Sequence, residues 1–217
     1  MPRVLVENEM NSDNEASLTP PQVSVLIPVY NDIGRVGLCI EKLKDMAFPQ
    51  DKYEVIIIDN GSKDGTYELL QKLVSELDDK VFRLIQCLTP GSYAARNEGL
   101  KLAQGEFVAF TDSDCLVSEN WLQSLLDCWK AQSGRTVVAG RVSFFSDSAK
   151  NTEQCALDFE NMFSMKQDQN AKNGKCITAN LFCTKQLIET TSNQNYHITA
   201  IMVFKLKICS ALASMGL

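Results

Sequence analysis

The chain has 217 residues, 45% of them hydrophobic and 22% charged, and a formal net charge of -6. That length suits one sizeable domain, or one domain with an appendage, and the acidic balance excludes the electrostatic footprint of a DNA- or RNA-binding protein. An anionic ligand would therefore be held locally, by a few placed cations, helix N-termini or a metal ion.

The 8 cysteines include no C-x-x-C pair and the only histidine is His197, which argues against a zinc site. Several cysteines lie in apolar runs and read as reduced, buried thiols of a cytosolic protein. Residues 1–21 carry acids where a secretory signal needs an apolar core, and read as a disordered leader ending at Pro20-Pro21. The last stretch, YHITAIMVFKLKICSALASMGL, is apolar, but Lys205 and Lys207 lie near its middle. Each would cost about 2.5–3.5 kcal/mol inside a bilayer, so a spanning helix is disfavoured against a peripheral segment or a core strand.

In chain order, VSVLIPV (23–29) reads as a first strand, followed by a helix with Val36, Ile40, Leu43 and Ala47 on one face. EVIIID (54–59) is the second strand. It leads through the turn NGSKDG, with Ser62 and Asp64 as N-cap candidates, into a helix with Leu70, Leu73 and Leu77 inward. A third strand (81–86) precedes a helix over about 92–103, whose sheet side would carry Ala95, Gly99 and Leu102. The fourth strand (106–111) ends in the acids of TDSDC. Strands alternating with helices of this length imply a parallel α/β sheet, whose ligands bind beyond the carboxyl ends of the strands. Further on, a helix over 119–131, an apolar segment over 136–145, a helical stretch around 152–165 and a strand over 176–183 are expected.

The chemistry-bearing residues gather at that carboxyl edge. Asp112 and Asp114 are two apart, so an extended chain turns both to one side; such oxygen donors suit Mg²⁺ or Mn²⁺, while a Ser/Asp-rich turn is the plain alternative. Asp59 ends an apolar strand as either a ligand or a cap. Pro28, Tyr30 and Asn31 close the first strand, where Tyr30 could stack on a base or pack on the sheet edge. Arg96 lies early in the third helix and could fork onto an oxygen anion or lie solvated on the surface. Trp121 is either a cover for the site or core.

The order VSVLIPVYND, EVIIIDNGSKDGT, GSYAARNEGLKLAQGEFVAFTDSDC resembles the family 2 glycosyltransferases. The resemblance implies an α/β GT-A fold, a Rossmann-like nucleotide-diphospho-sugar transferase fold with a mainly parallel central sheet and helices on both faces. It divides the chain into a GT-A domain over 22–185, with a nucleotide-binding half (22–117) and a partial acceptor half (118–185), and an atypical apolar tail over 186–217. It implies that Pro28, Tyr30, Asn31 and Asp59 hold the nucleoside and that Arg96 borders the base. Asp112, Ser113 and Asp114 would form the D-x-D loop, with Asp112 and Asp114 toward a divalent metal, Mg²⁺ or Mn²⁺. By its position alone, Asn180 is a candidate for touching the donor sugar or the acceptor, with a buried asparagine that satisfies neighbouring backbone groups as the alternative.

The reaction so implied is sugar transfer from a nucleotide-diphosphate sugar, most simply a UDP-sugar, to a glycan, lipid or small-molecule hydroxyl, with inversion. Cell-surface polysaccharide synthesis at the inner face of the membrane would be the setting. The family's G-G-F-D-E-like segment and acidic pair do not follow Lys185, and from Thr190 to Leu217 there is no Asp or Glu. The expectation is therefore a chain cut short or frame-shifted soon after Lys185, with no residue assigned as catalytic base. A catalytically silent nucleotide-sugar-binding or scaffold module is the competing reading.

Overall fold

Strands buried on both faces should be apolar throughout rather than alternating, and this explains the uninterrupted runs of the first half. In the computed structural model, which describes residues 20–132, 137–143, 175–192, 201–203 and 208–214, every residue of β1 (Val23–Val29), β2 (Tyr53–Asp59) and β4 (Phe107–Thr111) is buried. Between them run helices α1 (Val36–Lys44), α2 (Thr66–Ser75) and α3 (Ser92–Leu102), and a shorter, half-buried β3 (Phe82–Gln86). Helix α4 (Trp121–Lys130) and β5 (Val137–Arg141) follow. After them come β6 (Lys175–Ile177), β7 (Asn180–Thr184), helix α5 (Lys185–Ser192), β8 (Ile201–Val203) and β9 (Ile208–Ser214).

The main sheet has the order β3-β2-β1-β4-β7-β5-β9. Strands β1 to β4 pair in parallel, as does β9 on β5, whereas β7 runs antiparallel to both β4 and β5. Alternate residues divide the core in two. Val25, Ile27, Val55 and Ile57 pack with α1, α2 and α4, while Leu26, Ile56 and Ile58 pack with α3 and α5. The sheet is thus mainly parallel with helices on both faces, as the sequence implies.

Three local expectations are corrected. Ala47 lies beyond α1 and is exposed, and Met46 and Phe48 are buried in its place, because the helix stops at Lys44 and the facing positions shift. Leu102 is 44% exposed at the end of α3, whereas Ala95 and Gly99 face the sheet; Gly99 lies where a Cβ would stand 2.8 Å from Ile58 Cδ1. The strand expected over 176–183 is broken by a turn at Thr178-Ala179, so β6 pairs with β8 in a second small sheet and only β7 joins the main one. The helical stretch around 152–165, most of the leader and His197 lie outside the described residues.

The amino edge of the sheet is pinned by a buried polar cluster. The Glu54 carboxylate, 3% exposed as a residue, accepts from Ser24 Oγ (2.6 Å), from the Gln104 amide (2.7 Å) and from Arg83. Ser24 Oγ accepts in turn from the Gly105 amide at 2.9 Å. A Cβ on Gly105 would meet Ser24 N at 2.6 Å, so the α3–β4 turn can press onto β1 only because it carries glycine.

Candidate active site

Chain order runs outward from β1 to β2 and β3, then returns to β4 on the other side of β1. The gap opened there is a switch point of the kind where α/β sheets bind ligands. Pairing between β1 and β4 stops at Leu26↔Phe110, while β1 continues beside β2 to Val29↔Asp59. Pro28, which has no N–H to donate, falls in the stretch that has already parted from β4. Tyr30 follows at 58% exposed, and Asn31 adopts a left-handed φ of 49° that turns the chain back over the sheet edge.

The turn after β2 explains that bend. Ser62 Oγ accepts from the Asn31 amide (3.0 Å), Thr66 Oγ1 from the Asp32 amide (2.8 Å) and Asp64 Oδ2 from the Ile33 amide (3.3 Å), and Asn31 Oδ1 accepts from the Lys63 amide (2.8 Å). The S-x-D-x-T pattern therefore fastens two loops together. The N-cap of α2 is Gly65 rather than Ser62 or Asp64, but Asp64 accepts from the Thr66 amide (3.0 Å) and hydroxyl at the first residue of the helix, the second bond holding its carboxyl below the ordinary range.

Asp59 is wholly buried. Its Oδ2 accepts from the amides of Gly61 (3.1 Å) and Ser62 (3.3 Å), and its Oδ1 has no partner among the described residues. Gly61, at φ 77°, lets the turn fold back onto the carboxylate. Arg96, which the sequence left open as a surface cation, is 3% exposed and ion-paired with Asp112 Oδ1. Among the described residues its Nε and Nη1 have no hydrogen-bond partner, and neither does Thr111 Oγ1. A buried guanidinium with unused donors and a buried carboxylate with an unused oxygen are each costly unless a polar ligand completes them.

Asp112 is pushed above the ordinary carboxylate range, chiefly by burial; Arg96 opposes the shift and Asp114 adds to it. Ser113 lies between the acids and donates from Oγ to Asp32 Oδ2 at 2.5 Å. Asp32 is itself 5% exposed, and its Oδ1 accepts from Arg35 Nε at 2.6 Å. Arg35 Nη1 reaches Asp114 Oδ2 at 3.3 Å. Burial raises the nearby thiols, Cys39 upward and Cys115 to about 12, so neither supplies a thiolate at neutral pH.

Asn180 pairs across the sheet with Thr111 but does not reach the surface. Its Oδ1 accepts from Trp121 Nε1 (3.0 Å) and its Nδ2 donates to the Arg141 carbonyl (3.0 Å). Trp121 is wholly buried, which answers the question between cover and core in favour of core.

Three residues with clear roles in the crevice were not singled out from the sequence. Asp32 and Arg35 tie the β1–α1 loop to the acidic loop. Asn60, 9% exposed, donates to the carbonyls of Cys87 and Thr89 (2.7 Å each) and accepts from the Gly91 amide (2.8 Å). It thereby fixes the loop that bears the exposed Leu88. For Asn60 the available signal was a polar residue directly after the acid that ends β2.

The family model described as Glycosyl transferase family 2 matches residues 24–189. The chain belongs to this family. Among curated relatives, the glycosyltransferase AglE of Haloferax volcanii is 34% identical over 171 residues, covering 79% of this chain and 55% of that protein. The chain thus spans little more than half of AglE's length. The fold is the GT-A fold of solved family relatives. A mannosyltransferase from Pyrobaculum calidifontis, in complex with GDP-Man and Mn²⁺, matches with a TM-score of 0.60 and 20% identity over 80% of this chain and 47% of that one. TarS of S. aureus, in complex with UDP-GlcNAc, gives 0.58 and 21% over 79% and 47%.

Proposed function

We propose that this family 2 chain binds a nucleotide-diphosphate sugar, a UDP-sugar in the simplest case, in the crevice between β1 and β4 and transfers the sugar to an acceptor hydroxyl with inversion. The observation that carries this reading is a set of buried polar atoms with no hydrogen-bond partner among the described residues: Asp59 Oδ1, Arg96 Nε and Nη1, and Thr111 Oγ1. Asp59 offers an acceptor to an N–H of the base, Arg96 offers donors beside it, and exposed Tyr30 offers a stacking face. Pro28 and Asn31 shape the entrance, and Ser113 holds the acidic loop against Asp32. Asn180, a candidate for touching the donor sugar or the acceptor, instead supports the wall behind Thr111. Both of its amide ends are already engaged, whereas Asp59 and Arg96 keep unused atoms.

Mg²⁺ or Mn²⁺ fits the donor set. Asp112 and Asp114 present only carboxylate oxygens, and burial keeps the neighbouring thiols of Cys39 and Cys115 protonated. Hard divalent cations are commonly held by one or two carboxylates plus substrate phosphates. When bound, the ion would supply positive charge to the leaving diphosphate. Arg96 meanwhile fixes the orientation of Asp112, and the Asp32–Ser113 bond fixes the loop between the two ligands. The acceptor is a glycan, lipid or small molecule at the inner face of the membrane. Among the described residues no helix is long and apolar enough to cross a membrane.

Calorimetric titration of UDP in the presence of Mn²⁺ tests the reading. The wild type should bind at least about tenfold more tightly than an Asp112→Asn, Asp114→Asn double variant, since charge-assisted contacts of this kind are each worth roughly 1.5–3 kcal/mol. Equal binding by the two proteins would refute the site.

A further inference from the structure

Arg35 stands immediately before α1, and its backbone is set by the turn in which the Arg35 and Val36 amides donate to the Asp32 carbonyl (3.2 and 3.1 Å). Its side chain is 65% exposed, yet held at two points of unequal strength. Nε donates to the buried Asp32 carboxylate at 2.6 Å, a short charge-assisted bond that raises the guanidinium's own pKa. Nη1 meets Asp114 Oδ2 at 3.3 Å, where the carboxylate is 48% exposed. One end is anchored and the other is exchangeable.

We propose that Arg35 is a built-in counter-ion of the acidic loop, neutralising Asp114 in the metal-free protein and competing with the divalent cation for that carboxylate. The inference rests on the metal site proposed above. Asp112 already has Arg96 against its Oδ1, so Arg35 is the cation left for the second acid. Without it, two carboxylates two residues apart would repel each other across a loop fastened at its middle by Ser113 to Asp32. A metal ion and Nη1 cannot both take the same lone pairs of Asp114 Oδ2, because both act as electron-pair acceptors there. On metal binding the Nη1 contact opens and the Nε–Asp32 bond stays, which keeps the guanidinium tethered beside the site. The device lets the loop hold its shape before the cation arrives, at the expense of some affinity for the bare ion.

The test is Mn²⁺ titration of the full chain without nucleotide, followed by the loss of the free-ion electron paramagnetic resonance signal. Arg35→Gln and Arg35→Ala should both bind Mn²⁺ about two- to fivefold more tightly than the wild type, the span that an exposed ion pair allows. Lys44→Gln, which removes an exposed charge at the far end of α1, should leave the constant unchanged. The Asp112→Asn, Asp114→Asn variant should lose binding. Site-dependent binding that both Arg35 variants leave unchanged or weaken would overturn the proposal alone, and so would equal tightening by Lys44→Gln. Binding of the bare ion in the wild type no stronger than in the double variant would overturn the proposal, whereas the metal site itself stands or falls with the UDP titration in the presence of Mn²⁺.

Discussion

Replacing Asn180 by alanine removes two buried hydrogen bonds at once. The Trp121 indole N–H loses its acceptor at 3.0 Å, and the Arg141 carbonyl loses a donor at 3.0 Å, in a side-chain site with no exposure. A buried donor left unsatisfied costs about 1–3 kcal/mol, and the lost carbonyl partner and packing bring the sum to roughly 3 kcal/mol. For a domain of this size that is a melting temperature lower by about 6–12 °C. Urea unfolding followed by tryptophan emission is a direct assay, because Trp121 is one of only 2 tryptophans in the chain. Gly140 supplies a second arm. A Cβ there would stand 2.2 Å from Asn180 Nδ2, so Gly140→Ala should cost about 1–3 kcal/mol in the wild type and less once Asn180 is alanine. If Asn180→Ala instead keeps wild-type stability and weakens UDP-sugar binding, Asn180 touches the donor and the account of it as a core clamp is wrong.

Two further outcomes follow from the loop geometry. Asp64 has a lowered folded pKa, so its contribution to stability is present above the ordinary carboxylate range and is lost as pH falls through the folded value. Asp64→Asn should lower stability at neutral pH and flatten the acid limb of a melting-temperature profile, whereas an unchanged limb would contradict the assignment. Tyr30→Ala should weaken UDP binding by about tenfold, because base–aromatic stacking is typically worth about 1–3 kcal/mol, while leaving Mn²⁺ binding and the melting temperature nearly unmoved. A loss confined to Mn²⁺ binding would remove Tyr30 from the nucleoside's surroundings.

The parallel half of the sheet was legible because burial on both faces leaves a plain mark, the unbroken runs VSVLIPV and VIII, and because the turns between them carry Gly, Ser and Asp. The site acids were legible for the same reason, since a carboxylate at the end of such a run stands out. What was not legible depends on partners distant in sequence. Arg96 looks like any helix-surface arginine until Asp112 is beside it. Asp32 gives no sign that Ser113 and Arg35 converge on it, and the split of 176–183 into β6 and β7 depends on which sheet each half joins. Asn180 stayed open between a ligand contact and a buried structural amide for the same reason. A polar residue beginning a strand next to the acidic loop resembles a ligand contact, and only Trp121 and Arg141 reveal that its amide is already engaged.

The Glu54 cluster at the amino edge has a consequence for how this chain can change. It joins β1, β2, β3 and the α3–β4 turn by hydrogen bonds and an ion pair that involve no residue of the crevice. The loops at the opposite edge can therefore exchange side chains, and with them donor or acceptor preference, while registration of the strands is maintained from below. Substitutions at Glu54 or Ser24 should be poorly tolerated, whereas the exposed Tyr30, Leu88 and Tyr93 can change without losing the fold.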